Sequence, residues 1–467
     1  MRYTFTLLDE HRDRLRSLLL ADGNEAGALV LCGRSRQVDP WTGEEEERFL
    51  CREIIEVEAS AYMARSPGQM TWSTTPLYNV TKRSERRSDA VAIVHSHPKG
   101  PLEFSALDDV AEREAFEVVF NRLESERPHL SLIMDGQGEL VGRAYGPDLK
   151  PHPVHMIRVI GRQWHVRYPR REVQEIGGEL DRQVRAFGSA ATRDLGQLRI
   201  GIAGCGGTGS AVAMLLARMG VRRLVLFDTD YVDETNLNRL HFATRVDANL
   251  RVLKIDAVSR GVAEVGLPVA LARIASPIDA IAARDALRSC DVVFGCTDDH
   301  LGRNALNRIA HFYYIPIIDL GLLIEPAGTS YPVFDGRVTV IQPGYPCQIC
   351  RKLISTEQMQ VESLHRNDPV VYAHYRRAGY VPAGADPSPV VVSFTTEVAT
   401  MAVNELLQRL TNFRGPDGSC AERVRRFVEV KDSDTLPGER SRPGCKLCDA
   451  RKYDGRGDML PYLDHSA

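Results

Sequence analysis

The segment LRIGIAGCGGTGSAVAMLLARMGVRRLVLFD, residues 198–228, decides the fold of the second half of this chain. It predicts a strand over 198–204, a glycine turn, a helix over 209–219 and a strand over 223–228, which together begin a βαβ unit. Helical and apolar strand patterns then alternate, at 252–265, 291–295, 302–312 and 315–320. We therefore expect an α/β fold with a Rossmann-like, mostly parallel sheet that is covered by helices.

The glycine turn has the properties of a phosphate-binding loop. Gly204, Gly206, Gly207 and Gly209 lie between strand and helix, where backbone N–H groups and the helix N-terminus attract anions. Asp228 stands where dinucleotide-binding proteins carry a ribose-binding acid. From these residues alone, a nicotinamide-dependent dehydrogenase is still possible.

A dense group of charged and amide side chains follows the glycine turn and favours a different chemistry. Arg and Lys neutralise phosphate charge, a carboxylate can hold Mg²⁺, and Asn can bridge to phosphate oxygens. A hydride-transfer enzyme has no use for this set. Its members are Asp228, Asp230, Asn236, Arg239, Lys254 and Asp298.

Over about residues 172–450 these motifs resemble the ThiF-like superfamily, which includes molybdopterin-synthase and thiamine adenylyltransferases and the ubiquitin-activating enzymes. The resemblance implies ATP- and Mg²⁺-dependent adenylation of the C-terminal glycine of a ubiquitin-fold protein. It matches Gly206 and Gly207 to the phosphate loop and Asp298 to the magnesium aspartate. The other matches are Asp228 and Asp230 as ribose and nucleotide contacts, and Asn236, Arg239 and Lys254 as phosphate contacts.

An Arg-Gln pair, Arg182-Gln183, lies upstream of the glycine turn. In the ThiF-like superfamily the arginine of such a pair often reaches the ATP of a partner subunit. The resemblance therefore implies a homodimer in which Arg182 is a catalytic residue.

The first half of the chain carries residue types that bind metal ions. A strand-like run over 90–94 leads into His95 and His97, which project from the same face of a strand. If a helix begins at Ser105, Asp108 in its first turn supplies an oxygen ligand. Two histidines and one carboxylate with an open fourth position are the composition of a catalytic zinc site, where zinc lowers the pKa of a water to about 7.

The spacing of these residues resembles that of the JAMM metallopeptidases, over about residues 1–160. Members cleave isopeptide or peptide bonds at the C-terminus of ubiquitin-like proteins. The resemblance implies zinc ligation by His95, His97 and Asp108, donation from Ser105 to the oxyanion, and Glu25, at the start of a predicted strand, as the general base. The alternative is that Ser105 and Asp108 only cap a helix and that the histidines are ordinary strand residues.

The cysteine spacing predicts a second metal site. Cys347-x-x-Cys350 and Cys445-x-x-Cys448 have the spacing of a structural tetra-thiolate zinc site, which the ThiF-like resemblance also includes. Ubiquitin-activating enzymes that pass their cargo onward carry a nucleophilic cysteine ahead of the helix predicted here at 394–410, yet none occurs between residues 354 and 393. The adenylate then goes directly to another acceptor, Cys420 serves from an unusual place, or a hydroxyl such as Ser388 forms an oxyester.

Length and charge limit the remaining possibilities. The 467 residues exceed one hydrophobic core, so we expect two domains, residues 1–165 and 166–467, joined near the Pro- and Arg-rich stretch 147–171. With 59 basic and 62 acidic residues, the net charge of −3 gives no attraction to nucleic acid. No signal peptide or membrane span is evident, which favours a cytoplasmic protein without a membrane partner.

The sequence thus predicts a bifunctional enzyme that trims or removes a ubiquitin-like protein and adenylates its terminal glycine for conjugation. A ubiquitin-conjugating-type carrier enzyme is a candidate partner. The predicted cofactors are a catalytic Zn²⁺, a structural Zn²⁺, ATP and Mg²⁺. One alternative is a sulfur-carrier-protein adenylyltransferase with a carrier-processing peptidase. Another is a scaffold with one inactive head. The fusion of these two families looks bacterial.

Overall fold

The computed structural model describes residues 1–85, 89–169, 175–325, 332–378, 389–429, 431–435 and 441–458. The first half of the chain is a mixture of strands and helices. In chain order they are β1 (Arg2–Leu8), α1 (Asp9–Leu19), β2 (Gly27–Val38), β3 (Glu45–Glu56), β4 (Tyr62–Ser66), β5 (Gln69–Trp72), α2 (Thr75–Glu85), β6 (Ala90–His97), α3 (Ala106–Leu123), β7 (His129–Asp135), β8 (Leu140–Tyr145), β9 (Pro151–Ile160) and β10 (His165–Arg167).

The main sheet of this half is mixed, as predicted, and it closes on itself. Its strand order is β1-β3-β2-β6-β7-β8-β9-β10, and β1 pairs in parallel with β9 as well as with β3. Side chains alternate between the faces of the strands. Ala28 and Val30 of β2 therefore belong to one buried cluster, whereas Leu29 and Leu31 belong to a second one with Phe116 of α3. Both faces of β2 are buried, which fixes its register.

The second half of the chain contains a second eight-stranded sheet. Its elements are α4 (Asp181–Gln197), β11 (Arg199–Ala203), α5 (Gly207–Arg218), β12 (Arg223–Phe227), α6 (Arg245–Leu250), α7 (Lys254–Glu264), β13 (Ala270–Ile274), α8 (Ile281–Ser289), β14 (Val292–Gly295), α9 (His300–Phe312), β15 (Ile317–Glu325), β16 (Val333–Ile341), α10 (Thr356–Asn367), α11 (Pro369–Arg377), α12 (Val392–Thr411), β17 (Glu422–Arg426) and β18 (Lys431–Thr435).

The strand order of the second sheet is β13-β12-β11-β14-β15-β16-β17-β18. Strands β13 to β15 are parallel, which confirms the predicted Rossmann-like half, whereas β15 to β18 form an antiparallel extension that was not predicted. The sequences of β17 and β18, ERVRR and KDSDT, are polar at nearly every position, so they carry no apolar alternation from which a strand can be recognised.

The stretch predicted to join the two halves, residues 147–171, is largely strand in its described part. It contains β9 and β10, which pair with each other in the first sheet. The predicted division between residues 165 and 166 falls inside β10, and the division remains a prediction. Among the described residues, no helix combines the length and the apolar composition of a membrane span.

The two halves share a buried interface. Leu50 and Trp164 of the first half lie in the same hydrophobic cluster as the core of the second sheet. The Trp164 indole N–H donates to Gln342 Oε1 at 2.9 Å, and its backbone N–H donates to the Arg409 carbonyl at 2.8 Å. The interface therefore resembles a protein core more than a flexible hinge.

A group of six buried ionic side chains lies in this interface, and we call it the interface cluster. Each member is at most 3% exposed. Three are arginines and three are acids, so the cluster is neutral when all are ionised. The members are Arg48, Arg158 and Arg199 with Asp39, Glu46 and Asp291.

Asp291, which directly precedes β14, is the acceptor at the centre of the interface cluster. Its carboxylate lies 3.0 Å from Arg199 Nη2 and 3.2 Å from Arg158 Nη1. Burial alone would raise the pKa of Asp291, but the positive charges of Arg199, Arg158 and Arg48 lower it to about 2. Arg48 also donates to the carbonyls of Ser289 and Cys290, both at 2.7 Å. A strand of the first half is thereby held against the second sheet.

Candidate active sites

A cavity of about 730 Å³ opens at the carboxyl ends of β11, β12, β14 and β15. This edge of a parallel sheet is where α/β proteins bind ligands. Eight of the predicted nucleotide-binding residues line the cavity, namely Gly204, Gly206, Gly207, Asp228, Asp230, Arg239, Lys254 and Asp298. The structure thus brings together residues that are up to 94 positions apart in the sequence.

The glycines of the loop have two different structural reasons to be glycine. Gly204 has φ +91°, and a Cβ at Gly209 would lie 1.9 Å from the Gly204 carbonyl oxygen, so both are required by the fold itself. A Cβ at Gly206 would meet no protein atom within 4 Å, and one at Gly207 would have ordinary contact distances of 3.4 Å or more. The open space beside Gly206 leaves room for a phosphate at the N-terminus of α5.

Asp228, the predicted ribose contact, also fixes the glycine loop. Its carboxylate accepts hydrogen bonds from the Cys205 N–H at 2.6 Å and from the Asp230 N–H at 2.8 Å. Burial raises the pKa of Asp228, and these two backbone hydrogen bonds lower it in part. Asp228 therefore ties the end of β12 to the loop that follows β11.

The basic residues of the cavity differ in how far their charges are neutralised. Lys254 Nζ lies 2.8 Å from Asp230 Oδ2, so a bound phosphate would compete with that carboxylate. Arg239 donates to the Thr235 carbonyl at 2.5 Å and to Asn238 Oδ1 at 3.2 Å, and both acceptors are neutral. Arg239 keeps its full positive charge for a ligand.

Asp298 and Asp299 are adjacent, but only Asp299 has its carboxylate engaged in a hydrogen bond to another described residue. Asp299 caps α9, since its carboxylate accepts from the Gly302 N–H at 2.7 Å. Asp298 is exposed to the cavity and has no hydrogen-bond or ion-pair partner among the described residues. A free carboxylate at the end of β14 is a suitable ligand for Mg²⁺.

Three predicted residues lie outside the cavity lining. Gly209 packs inside the first turn of α5, and Asn236 Oδ1 accepts from the Asp233 N–H at 3.3 Å in a local turn. Arg182 lies exposed on the first turn of α4. The roles assigned to these three residues remain predictions.

The sequence analysis missed several residues that line the cavity, among them Cys296, Arg303 and Arg366. Arg303 could have been found, because it lies one turn into the helix that follows Asp298. Arg366 comes from α10 and contacts both oxygens of Asp279, at 2.6 and 2.7 Å. No local sequence pattern connects α10 with the glycine loop.

In the first half, β6 and α3 bring the three predicted zinc ligands together. The ring nitrogens His95 Nε2 and His97 Nε2 are 3.2 Å apart, and Asp108 oxygens lie 3.1 Å from His95 Nε2 and 3.7 Å from His97 Nε2. Tetrahedral ligands at about 2.1 Å from zinc are about 3.4 Å from one another. The spacing of these donors therefore fits a zinc ion, with one position left open.

Further contacts orient this site. His97 Nδ1 lies 3.0 Å from the Pro101 carbonyl, which favours the tautomer that leaves Nε2 free as a ligand. Ser105 caps α3, which is the arrangement that the alternative interpretation named, and its hydroxyl donates to Asp108 Oδ2 at 2.7 Å. Burial raises the pKa of Asp108, but hydrogen bonds from His95 and Ser105 outweigh it and hold the pKa well below its usual range.

Glu25 lies beside the histidines because β2, which it precedes, pairs with β6. Gly27 is directly opposite His95 in this antiparallel pair. Burial raises the pKa of the Glu25 carboxyl, and the nearby His97 and His95 lower it in part. A raised pKa suits a group that takes up a proton during catalysis.

The four predicted zinc cysteines converge from two loops that are far apart in the sequence. Cys347 Sγ is 3.8 Å from Cys445 Sγ, and Cys350 Sγ is 3.5 Å from Cys448 Sγ. Four thiolates about 2.3 Å from zinc lie about 3.8 Å from one another. The cluster could therefore hold a zinc ion that links the end of β16 to the segment after β18.

Cysteines outside this cluster are poor candidates for a nucleophile. Cys420 is buried beside Glu405, and burial raises the pKa of its thiol to about 12. Cys205 and Cys296 also have pKa values raised by burial. A thiol held in this way does not form the thiolate that nucleophilic attack requires. Ser388 lies outside the described residues.

Comparison with known proteins agrees with this geometry. A model described as the ThiF family matches residues 180–447, which is more than half of the chain. The chain belongs to the ThiF family. A second model, described as prokaryotic homologs of the JAB domain, matches residues 8–141. The protein is thus a ThiF family member with a JAB-like domain at its N-terminal end.

Three similar curated proteins each match between 32% and 42% of this chain. They include the SAMP-activating enzyme E1 of Haloferax volcanii (27% identical, over 32% of this chain and 52% of that protein) and the molybdopterin-synthase adenylyltransferase of Escherichia coli (28% identical, over 36% and 64%). The adenylyltransferase and sulfurtransferase UBA4 of Meyerozyma guilliermondii is 26% identical over 42% of each chain. The match spans about half the length of the Haloferax protein.

Among solved structures, E. coli MccB with ATP is 18% identical to this ThiF family member. The alignment covers 58% of this chain and 75% of that one, with a TM-score of 0.44. A likeness of this size adds nothing to the description of the site.

Proposed function

We propose that this ThiF family member activates a ubiquitin-like protein by adenylating its C-terminal glycine for conjugation, and that its JAB-like domain cleaves peptide or isopeptide bonds at the same terminus. The observation that supports the first activity is the 730 Å³ cavity, in which a glycine loop, four basic residues and an aspartate without a partner among the described residues meet. The ligand spacing of His95, His97 and Asp108 supports the second.

In the adenylation reaction, the carboxylate of the carrier protein attacks the α-phosphorus of ATP and pyrophosphate leaves. Backbone N–H groups at the start of α5, together with Arg239 and Lys254, stabilise the negative charge on the phosphates. Asp298 would hold Mg²⁺, which neutralises further phosphate charge. Positioning and electrostatics supply most of the catalysis, so no protein nucleophile is needed for this half-reaction.

In the hydrolytic reaction, His95, His97 and Asp108 would hold zinc, which supplies Lewis acidity at the scissile carbonyl and lowers the pKa of water. Glu25 takes a proton from the attacking water and returns it to the leaving amine. The Ser105 hydroxyl now donates to Asp108, so it must rotate before it can donate to the oxyanion. Glu25 and Ser105 approach the ligands from different elements, β2 and α3.

A second candidate function is the activation of a sulfur-carrier protein, whose adenylate is converted to a thiocarboxylate. The burial of Cys420 and the raised pKa values of Cys205 and Cys296 favour it, because sulfur-transfer chemistry can take its sulfur from another protein. The first candidate partner is a carrier protein that ends in glycine. The second is a conjugating-type enzyme or a sulfur donor, depending on which function holds. The third is a second copy of this chain, which Arg182 would contact. A scaffold with one inactive head does not explain why the residues for both chemistries converge, in the cavity and at the histidine pair.

Replacing Asp298 by alanine is expected to lower carrier-dependent ATP–pyrophosphate exchange by about 100- to 1,000-fold, because a preorganised electrostatic contact to the phosphates is lost. The measurement uses a panel of ubiquitin-fold carriers that end in glycine. Glu25→Ala serves as the matched control from the other domain and should exchange at the wild-type rate. No exchange with any carrier in the wild-type protein would contradict the adenylation proposal.

Replacing Glu25 by glutamine is expected to slow cleavage of a carrier–reporter fusion by about 100- to 10,000-fold, because the general base is lost while the ligands remain. Zinc content, measured by elemental analysis, should stay at the wild-type level. Glu58→Gln, an exposed carboxylate of the same domain, is the control and should cleave normally. Equal cleavage by both variants would remove Glu25 from the mechanism.

A further inference from the structure

A buried group of charged side chains lies at the β15 end of the cavity, and the proposed reaction leaves it without a role. Arg303 of α9 lines the cavity and its side chain is 15% exposed. Asp319 of β15 is fully buried, with Oδ1 3.7 Å from Arg303 Nε. Asp319 Oδ2 accepts a hydrogen bond from Arg337 Nη2 of β16 at 3.4 Å. We call these three residues the β15 cluster.

The β15 cluster has capacity for another polar partner. The buried Nε atoms of Arg303 and Arg337 and the buried Oδ1 of Asp319 make no close hydrogen bond to a described residue. Arg303 Nε and Asp319 Oδ1 face each other at 3.7 Å, which is too long for a hydrogen bond, and Gln348 is the other polar neighbour of the Asp319 carboxylate. Most buried polar atoms in proteins are paired, so unpaired ones call for an explanation such as a ligand. Here the unpaired atoms lie beside the cavity wall formed by Leu320, Gly321 and Leu322.

The neighbourhood of the β15 cluster also has one positive charge in excess. Glu422 of β17 is the next acid, and it lies 3.6 Å from Arg351 Nη1. Three arginines, Arg303, Arg337 and Arg351, therefore face two carboxylates, Asp319 and Glu422. The side chains of Arg303 and Arg337 are 15% and 22% exposed, and an excess charge that is largely removed from solvent is costly without a counter-charge. The cavity is the side from which an anion can supply it.

The strand order separates this anion from the ribose of ATP and places the phosphate loop between them. Asp228, at the end of β12, is the ribose contact, and the glycine loop follows β11. From β12 to β15 the order is β12-β11-β14-β15, three strand spacings or about 14 Å. A nucleotide bound at β12 and β11 leaves the β15 end open for the second reactant, whose attacking group is itself an anion.

We propose that Arg303 binds the terminal carboxylate of the carrier protein and presents it for attack on ATP. This inference rests on the proposed function and names the group that recognises its protein substrate. A guanidinium matches a carboxylate with two parallel N–H donors and keeps its charge at all physiological pH values. Asp319 acts as a positioning residue, because it contacts Arg303 from below the cavity surface and does not reach the carrier.

The test measures carboxylate recognition without requiring the natural carrier. An acetylated pentapeptide ending in Gly-Gly is titrated into the full-length protein by ligand-observed NMR, once as the free acid and once as the carboxamide. Wild type is expected to bind the acid about 10- to 100-fold more tightly, the contribution of a charge-assisted hydrogen bond. Arg303→Gln should abolish this preference, and Arg303→Lys should retain part of it.

Matched controls separate this role from nucleotide binding and from folding. Arg308→Gln changes an arginine of the same helix that does not line the cavity, and it should leave the acid preference at the wild-type value. A non-hydrolysable ATP analogue should bind Arg303→Gln as tightly as it binds wild type. Both variants should unfold at nearly the same temperature as wild type.

Two results with the wild-type protein would overturn the inference: no preference for the acid, or no binding of either peptide at millimolar concentration. A third such result is an Arg303→Gln protein that keeps the acid preference but loses affinity for the ATP analogue. Its failure is distinguishable from failure of the proposed function. Acid preference that depends on Arg303, without pyrophosphate exchange for any carrier, would retain the carboxylate site and remove adenylation. Pyrophosphate exchange by Arg303→Gln with the wild-type KM for the carrier protein would retain adenylation and remove the carboxylate site.

Discussion

Replacing Glu46 by alanine is expected to lower the free energy of unfolding by about 3–5 kcal/mol, the typical cost of removing one partner from a buried ion pair. Glu46 contacts Arg199 and lies 2.8 Å from Arg48 Nε, and it is 1% exposed. Its loss leaves the interface cluster with three arginines and two acids. Two arginines would then compete for Asp291 in a region that water does not reach.

The neighbouring residue provides the control for this prediction. Glu45 forms an ion pair with Arg36 at 2.8 Å, but both side chains are half exposed. Glu45→Ala should therefore change the free energy of unfolding by less than about 1 kcal/mol. Both variants are compared by urea unfolding of the full-length protein. Equal midpoints for Glu45→Ala and Glu46→Ala would show that the interface cluster does not stabilise the fold.

Replacing Cys445 by serine is expected to remove one zinc ion per chain and to destabilise the second half strongly. Zinc bound to four thiolates contributes about 10–16 kcal/mol in small zinc-binding peptides, where it substitutes for a core. In this chain the four cysteines tie the loop after β16 to residues 441–450. Without the metal, the two loops would be held mainly by the few side chains, such as Cys347 and Leu447, that they contribute to the hydrophobic cluster.

The metal content of single variants separates this site from the hydrolytic one. Wild type should contain two zinc ions by elemental analysis, and Cys445→Ser and His97→Ala should each contain one. The midpoint temperature of thermal unfolding should fall markedly for Cys445→Ser. It should fall little for His97→Ala, because β6 and α3 are held by the surrounding core. Two zinc ions in Cys445→Ser would refute the four-cysteine site.

The parts of these sites that could be predicted are those encoded by short spacings. His95 and His97 share a face because side chains alternate along a strand, and Ser105 caps α3 because a Ser-x-x-Asp motif begins it. The glycine loop is equally local, since its strand, turn and helix are consecutive. In each case the residues that act together are only a few positions apart.

The interface cluster could not be predicted, because its partners come from distant parts of the chain. Glu46 and Arg48 belong to a run of four consecutive charged residues at the start of β3, which is typical of a solvent-exposed strand end. The partner of Arg48, Asp291, follows 243 positions later, and the partner of Glu46, Arg199, follows 153 positions later. A single sequence gives no indication that this strand face is covered, so burial and its energetic cost become visible only in the folded protein. Closure of the first sheet by β1 and β9 was missed for the same reason.

The β15 cluster illustrates a further reason why prediction stops. Arg303, Asp319 and Arg337 lie on α9, β15 and β16, and each is an ordinary charged residue in its own segment. Asp319 was not a candidate, since an acid within the apolar strand IIDLGLLIE interrupts the pattern without a recognisable motif. Its meaning depends on the two arginines that neighbouring elements place beside it.

The closed first sheet and the interface cluster constrain how the chain folds as it leaves the ribosome. Strand β1 is synthesised before its partner β9, and Arg158 lacks its carboxylate acceptor until Asp291 emerges, whereas Arg48 already has Glu46. At roughly 5–20 residues per second, the complete first sheet waits on the order of ten seconds for Asp291. During that interval the second half of the chain does not yet cover the charged face that the first half contributes to the interface cluster, so this face becomes buried only after most of the second sheet has been synthesised.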